Sequence, residues 1–416
     1  MNTALLLAPL LANLLATDGV PPTPESTDAR WLRGNTHTHT LWSDGDAPPE
    51  TAVAWYVDHG YQFLVLSDHN LVQAGERWFD VTEDGRLTPA KVEGVKNRFG
   101  EDWPETRTVD GEKSMRLRTL PELKARFDRP ETFVLIPGEE VTSSHRLAQI
   151  HINAINVDES LPALRGESVQ STIQENLDAI EAWGREKDRP VIGHVNHPNF
   201  RKSLAASNLA RIEGPAFFEV YNGHRSVENE RIGTRPSTEE MWDLALVDRL
   251  HGASNAAMVF GLASDDAHDH YQSDAVSIPG RGWIMVRSRS FEPDEIVDAI
   301  RSGDFYASSG VGLHDISADT ESIIIDIDAH PEITYETEFI GATPNEDGST
   351  PTSRVLARTG TDPAVYRFSG DELYVRARVI SSRPHPRPYR SGDRETAWTQ
   401  PVRGPGTKPS GDAKNR

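Results

Sequence analysis

Residues 36–45 read Thr-His-Thr-His-Thr-Leu-Trp-Ser-Asp-Gly, with two imidazoles one residue apart and a carboxylate, Asp44, five positions beyond the second. Alternation along a strand turns His37 and His39 to the same face, so both rings can reach one point. Similar residue types recur down the chain: Ser67-Asp68-His69-Asn70, Gly138-Glu139-Glu140, His151, His194-Val195-Asn196-His197-Pro198 and Asp265-Asp266-Ala267-His268. Imidazole and carboxylate without thiolate suit zinc, manganese or iron, with no decision among them. A central Glu can bridge two ions roughly 3.5–4 Å apart, the separation used for in-line displacement at phosphorus. Asp44, Glu140 and Asp266 would offset much of the charge of two or three divalent ions, which neutral imidazoles cannot do. Any one of these signals is weak, because a lone histidine at a strand end is more often a hydrogen-bonded structural residue. Their joint occurrence carries the reading. At this level Glu139 competes with Glu140, and His194 with His197.

Such groups must be delivered by elements that end together. Short β-branched and aromatic runs predict strands at 31–35, 62–66, 132–136, 149–155, 190–193, 216–220 and 257–262. Helical periodicity predicts helices at 50–58, 120–127, 169–187, 238–250 and 293–302. Thr51, Ser168 and Ser237 stand near helix starts with acidic residues behind, as N-caps would. The alternation favours an α/β fold with a mainly parallel sheet. In a closed parallel barrel all strand C-termini open onto one face, and six of the seven predicted strands end in these ligand types. His224, following Asn222-Gly223, is a borderline contributor, and the remaining histidines read as solvated or packing residues.

The rest of the chain sets limits. Residues 71–118 interrupt the rhythm with a charged stretch, read as a lid-like insertion or a solvated excursion. Residues 313–382 alternate as strands without helices and predict a small antiparallel β appendage, and residues 383–416, rich in Pro, Arg, Gly and Ser, read as a largely disordered tail. Residues 1–30 hold an apolar run with the length of a signal-peptide core, followed by a linker at 17–28. That run suggests export to a periplasmic or secreted location, without excluding the cytoplasm. The 416 residues carry 43 basic and 64 acidic side chains, a formal charge of −21, which argues against broad nucleic-acid binding. No cysteine occurs, so disulfides and thiolate sites are excluded.

The motifs H-x-H-T-x-x-S-D-G, S-D-H-N, P-G-E-E-V-T, a strand His followed by Asn-Ala, H-P and D-D-A-H, in this order, resemble the PHP (polymerase and histidinol phosphatase) metallohydrolases. The likeness spans about residues 33–312 and extends to the β appendage; it is nearest to the stand-alone, carbaryl-hydrolase-like members, whose usual close resembles Ala397-Trp398-Thr399-Gln400-Pro401. It implies a distorted seven-stranded β/α barrel and a trinuclear site. His37, His39, Glu140 and Asp266 would hold the first ion. Glu140 would bridge to a second with His151 and His197, and Asp44, His69 and His268 would hold the third. Asp68 and Asp265 are expected to orient ring N–H groups. The expected activity is phosphoester hydrolysis of a small molecule by a metal-bound hydroxide. His69, His268 or a metal-bound water would serve as proton donor, and Arg201 and Arg225 would contact the anionic group. The rivals are a carboxylester or carbamate hydrolase on the same metals, and a non-catalytic module that keeps the metals for structure.

Overall fold

The computed structural model describes residues 29–251 and 256–407. The apolar leader and the linker of residues 17–28 lie outside the described residues. The fold is mixed α/β, with seven α-helices and several sheets among the described residues. Four helices keep the bounds that periodicity predicts: Leu120–Phe127, Val169–Lys187, Thr238–Leu250 and Pro293–Ser302. Local chemistry explains the agreement. Ser168 accepts from Ser171 N and Ser237 from Glu240 N, while Ile173, Ile180 and Trp183 fall on one buried stripe of helix Val169–Lys187. Thr51 is not a cap, because the first helix, Pro49–Asp58, starts two residues earlier with proline in its first turn. Proline has no N–H there for a cap to serve. No helix among the described residues is long and apolar enough to cross a membrane.

The expected parallel barrel is not found as a closed ladder. Strand Arg30–Asn35 pairs in parallel with Phe63–Val65, which pairs in parallel with Val134–Ile136, at one edge of a ten-stranded sheet. Strands Val259–Ser264, Ala216–Asn222, Ile192–Val195, Ala148–Ile155 and Gly138–His145 form a separate five-stranded sheet, in that order. Among the described residues, ladder pairing between the two sheets is reduced to isolated bridges, Thr38 to Ala267 and His69 to Glu140. Between Val134–Ile136 and Gly138–His145 stands Pro137, which has no N–H to continue a ladder. Strand Gly138–His145 was not anticipated. Gly138 permits a close crossing there, since a Cβ would lie 2.7 Å from Ala154 O and 2.6 Å from Val65 Cγ1. Ala148–Ile155 runs antiparallel to both neighbours, because a two-residue turn with Arg146 at φ 55° returns the chain directly.

Within residues 313–382, strands Leu313–Ala318, Ser322–Ile327 and Ala364–Arg367 form a separate three-stranded antiparallel sheet, while Tyr335–Ala342, Arg354–Thr359 and Tyr374–Pro384 extend the ten-stranded sheet that holds Arg30–Asn35. The residues beyond 383, expected to lack order, supply strand Arg394–Thr399, which pairs with Phe305–Ser308 and Tyr374–Pro384. Its Ala397 and Trp398 are buried, and that apolar burial holds the strand against the sheet. The segment 71–118 forms a three-stranded sheet, Trp78–Asp80, Thr106–Val109 and Glu112–Arg116, with an unanticipated helix, Pro89–Phe99, capped by Thr88.

Candidate metal centre

All nine residues expected as ligands come together at the junction of the two sheets, in four overlapping groups: His39, Asp44, His69 and His268; His37, His197 and Asp266; His37, His39 and Glu140; His69, Glu140 and His151. His37 and His39 follow strand Arg30–Asn35, and their rings lie 5.1 Å apart between centroids. Both Nε2 atoms face the same two carboxylates. His37 Nε2 stands 3.4 Å from Glu140 Oε1 and 3.3 Å from Asp266 Oδ1, and His39 Nε2 stands 3.4 Å from Glu140 Oε2 and 3.3 Å from Asp266 Oδ1. Around Glu140, His151 Nδ1 lies at 3.0 Å and His197 Nε2 at 3.5 Å, both from Oε1. On the open side, Asp44 meets His69 Nε2 at 3.5 Å and His268 Nε2 at 3.3 Å.

The alternatives left open by the sequence separate by strand alternation and turn geometry. Glu140 faces the cluster, whereas Glu139 accepts from Leu161 N at 2.5 Å on the other face. His197 joins the cluster, whereas His194 sits behind His37 with ring centroids 6.5 Å apart. Asp68 and Asp265 do not orient ring N–H groups. Asp68 accepts from Thr40 N, Thr40 Oγ1, Ser43 Oγ and Gln73 Nε2, fixing the loop after His39. Asp265 accepts from Tyr56 Oη, Arg281 N and Gly282 N. Ring orientation falls instead to Glu219, which no ligand motif marks. Glu219 has no solvent exposure and accepts from His37 Nδ1 at 2.7 Å, His197 N at 2.7 Å, Asn222 Nδ2 at 2.8 Å and Ser264 Oγ at 2.6 Å. A proton held on His37 Nδ1 leaves Nε2 free as a lone-pair donor to the cluster. The available signal was an acidic residue inside the apolar strand Ala216–Asn222. Asn196, likewise unforeseen, donates to Glu140 Oε1 at 2.8 Å.

The two arginines part company. Arg225 is spent on main-chain carbonyls of Tyr389, Asp274 and Pro388, a consequence of its place at the meeting of three loops, and is not aimed at the centre. Arg201 is exposed at the rim, its guanidinium 5.3 Å from the Phe200 ring centroid, and Phe200 packs 5.3 Å from His197. His224 lies 5.6 Å from His268 but belongs to none of the four groups.

Electrostatics follows from this crowding. Burial pulls His37 down, but Asp266, Glu219 and Glu140 outweigh it and hold the imidazole well above its usual value. Burial and the neighbouring His268 and His69 hold His39 down at about 4. Burial pushes Glu140 and Asp266 up, yet the surrounding histidines keep both carboxyls well below the usual range. The carboxylates thus stay ionised among imidazoles, the charge state a cation requires. Backbone strain marks the same place, with His197 at φ 28° and Asp266 at φ 50°.

The residues fit divalent ions on two counts. His37 Nε2 and His39 Nε2 are buried without a hydrogen-bond partner and face two carboxylates, a costly arrangement for neutral imidazoles that a cation taking both lone pairs would relieve. Their 3.3–3.4 Å spacings to Glu140 and Asp266 also match the edge of a tetrahedron, about 3.3–3.4 Å for metal–ligand bonds of about 2.0–2.1 Å.

No family model and no curated protein matches the chain. Among solved structures, it is similar to a two-domain protein from Bacteroides vulgatus described as containing a predicted PHP-like metal-dependent phosphoesterase. The TM-score is 0.40 and the identity 13%, over 86% of this chain and 92% of that one.

Proposed function

We propose that the chain is a metal-dependent hydrolase of the PHP type acting on a small phosphoric ester. The observation that carries the reading is the convergence of nine imidazoles and carboxylates, from positions 37 to 268, into one buried cluster with cation-compatible spacing. His37, His39, Glu140 and Asp266 would hold one ion, His151 and His197 would complete a second with Glu140, and Asp44, His69 and His268 would take a third. Bound divalent ions would acidify water to a nucleophile near neutral pH and draw charge from the substrate's oxygens. Glu219 keeps the His37 proton on Nδ1, and the Asp266 carbonyl does the same for His268, 2.9 Å from its Nδ1. Asp44 is exposed and His69 and His268 are the partly exposed imidazoles of the cluster, so substrate approaches from their side. His69 and His268 are the imidazoles best placed to give a proton to a departing oxygen there. Phe200 walls the rim and Arg201 supplies a cation for a phosphoryl oxygen.

One observation favours the second reading, a carboxylester or carbamate hydrolase on the same ions. With Arg225 tied to three carbonyls, Arg201 is the one arginine of the expected pair left to neutralise a phosphoryl group. Protein stripped with chelator and reloaded with Mn²⁺ or Zn²⁺ decides between them on p-nitrophenyl phosphate, bis(p-nitrophenyl) phosphate and p-nitrophenyl acetate. Phosphate or phosphodiester turnover that needs the metal and disappears in Glu140→Gln is expected. Turnover of acetate alone refutes phosphoesterase activity, and no metal-dependent turnover of any substrate refutes the catalytic reading.

A further inference from the structure

The segment between Phe63–Val65 and helix Leu120–Phe127 reaches the centre through the loop of residues 40–46, which carries Asp44. We infer that this segment is a brace for Asp44, holding that ligand in place through Arg86 and Lys91, and that it thereby sets occupancy of the outermost cation position. The inference rests on the reading of the cluster as a metal centre.

Asp44 is the candidate ligand that most needs external support. Its side chain is 56% exposed, and apart from the imidazoles of the cluster itself its carboxylate is held by the adjacent Ser43 Oγ at 3.3 Å. Outside the cluster, the position of its carboxylate is therefore set by its backbone. Arg86 Nη1 donates to Ser43 O at 2.8 Å and to Gly45 O at 3.0 Å, the carbonyls on either side of Asp44. Lys91 Nζ, on helix Pro89–Phe99, donates to Asp46 O at 2.7 Å and to Arg86 O at 2.8 Å, tying the two cationic residues together. Beneath the loop, Leu41 and Trp42 are buried in one cluster with Leu87, Val92, Met115 and Leu117. Trp42 Nε1 donates to Arg118 O at 2.9 Å. On its inner side the loop is pinned to the centre, with Asp46 N donating to His268 O at 2.8 Å. Gly45 completes the fit, since a Cβ there would lie 2.6 Å from the His39 carbonyl. The apolar core of the segment is thus built partly from the ligand loop, an arrangement suited to support rather than to opening and closing.

Supporting contacts of this kind carry metal affinity. Losing one weakens binding by about 10–100-fold, and the exposure of Arg86 places it at the low end. The test is equilibrium dialysis of the purified full chain against increasing free Mn²⁺, with bound manganese measured by mass spectrometry and folding followed by circular dichroism. In Arg86→Ala the most weakly held ion is expected to need about tenfold more Mn²⁺, with the tighter ions unchanged. Arg86→Lys, which keeps a cation but not the forked guanidinium, should recover part of the loss. Arg107→Ala, whose partners Glu76 and Trp78 lie away from the loop, should titrate as the parent does. An Arg86→Ala titration identical to the parent, or weakening of every ion alike, overturns the brace. Parent protein that binds Mn²⁺ tightly but lacks a weaker third ion overturns the brace alone. Parent protein that binds none overturns the metal reading and the brace together.

Discussion

Replacing Glu219 by glutamine exchanges one carboxylate oxygen for an amide nitrogen at a position with no solvent exposure. His37 Nδ1 and Ser264 Oγ point at one oxygen, and His197 N and Asn222 Nδ2 at the other. Whichever way the amide turns, its NH₂ meets two donors and two charge-assisted bonds are lost. At about 1.5–3 kcal/mol each the gross loss is roughly 3–6 kcal/mol, reduced because glutamine no longer buries a charge. If the NH₂ faces His37, the imidazole must move its proton to Nε2 to accept from it, which removes Nε2 as a ligand. The weakening expected for the tightest ion is therefore at the upper end, about 100-fold, or roughly 3 kcal/mol. The assay is competition for Zn²⁺ against a chromophoric chelator, run beside urea unfolding of metal-free protein. Glu219→Asp, which keeps the charge but shortens the reach, should fall between the two. A folded Glu219→Gln protein whose affinity lies within twofold of the parent refutes the claim that this carboxylate orients His37.

Other outcomes follow from buried groups away from the centre. Burial pushes the Glu50 carboxyl, 1% exposed, up to about 7 from its usual 4.5. The folded form thus favours the protonated acid: the penalty is absent below about 4.5, grows between 4.5 and 7, and is complete above. Glu50→Gln should match the parent in urea unfolding near pH 4.5 and exceed it by up to roughly 3 kcal/mol at pH 8, and a pH-independent difference counts against the assignment. Gln400 accepts from Gly261 N at 2.9 Å and donates to Gly261 O at 2.8 Å, closing the free edge of strand Val259–Ser264. Gln400→Ala strands two buried main-chain groups and should lower stability by about 2–4 kcal/mol in denaturant titration, whereas a truly disordered tail would register nothing.

The chain by itself determined what rests on neighbours within a few residues. Helices Val169–Lys187 and Thr238–Leu250 were legible because a capping serine and an apolar stripe at helical spacing act within one element. The nine candidate ligands were legible because most stand just after a strand end, and all are of a distinctive residue type, whatever their partners prove to be. What depends on distant contacts was decided only in three dimensions. Glu219 reads as an anomaly in an apolar strand until His37, 182 positions earlier, is brought to it. Arg225 reads as a free cation until Tyr389 and Pro388 fold over it. The tail reads as disordered until burial of Ala397 and Trp398 compensates the entropy of ordering it. The barrel expected from strand alternation opens into two sheets because a proline and a two-residue turn, local features both, take effect only through the strands they fail to join.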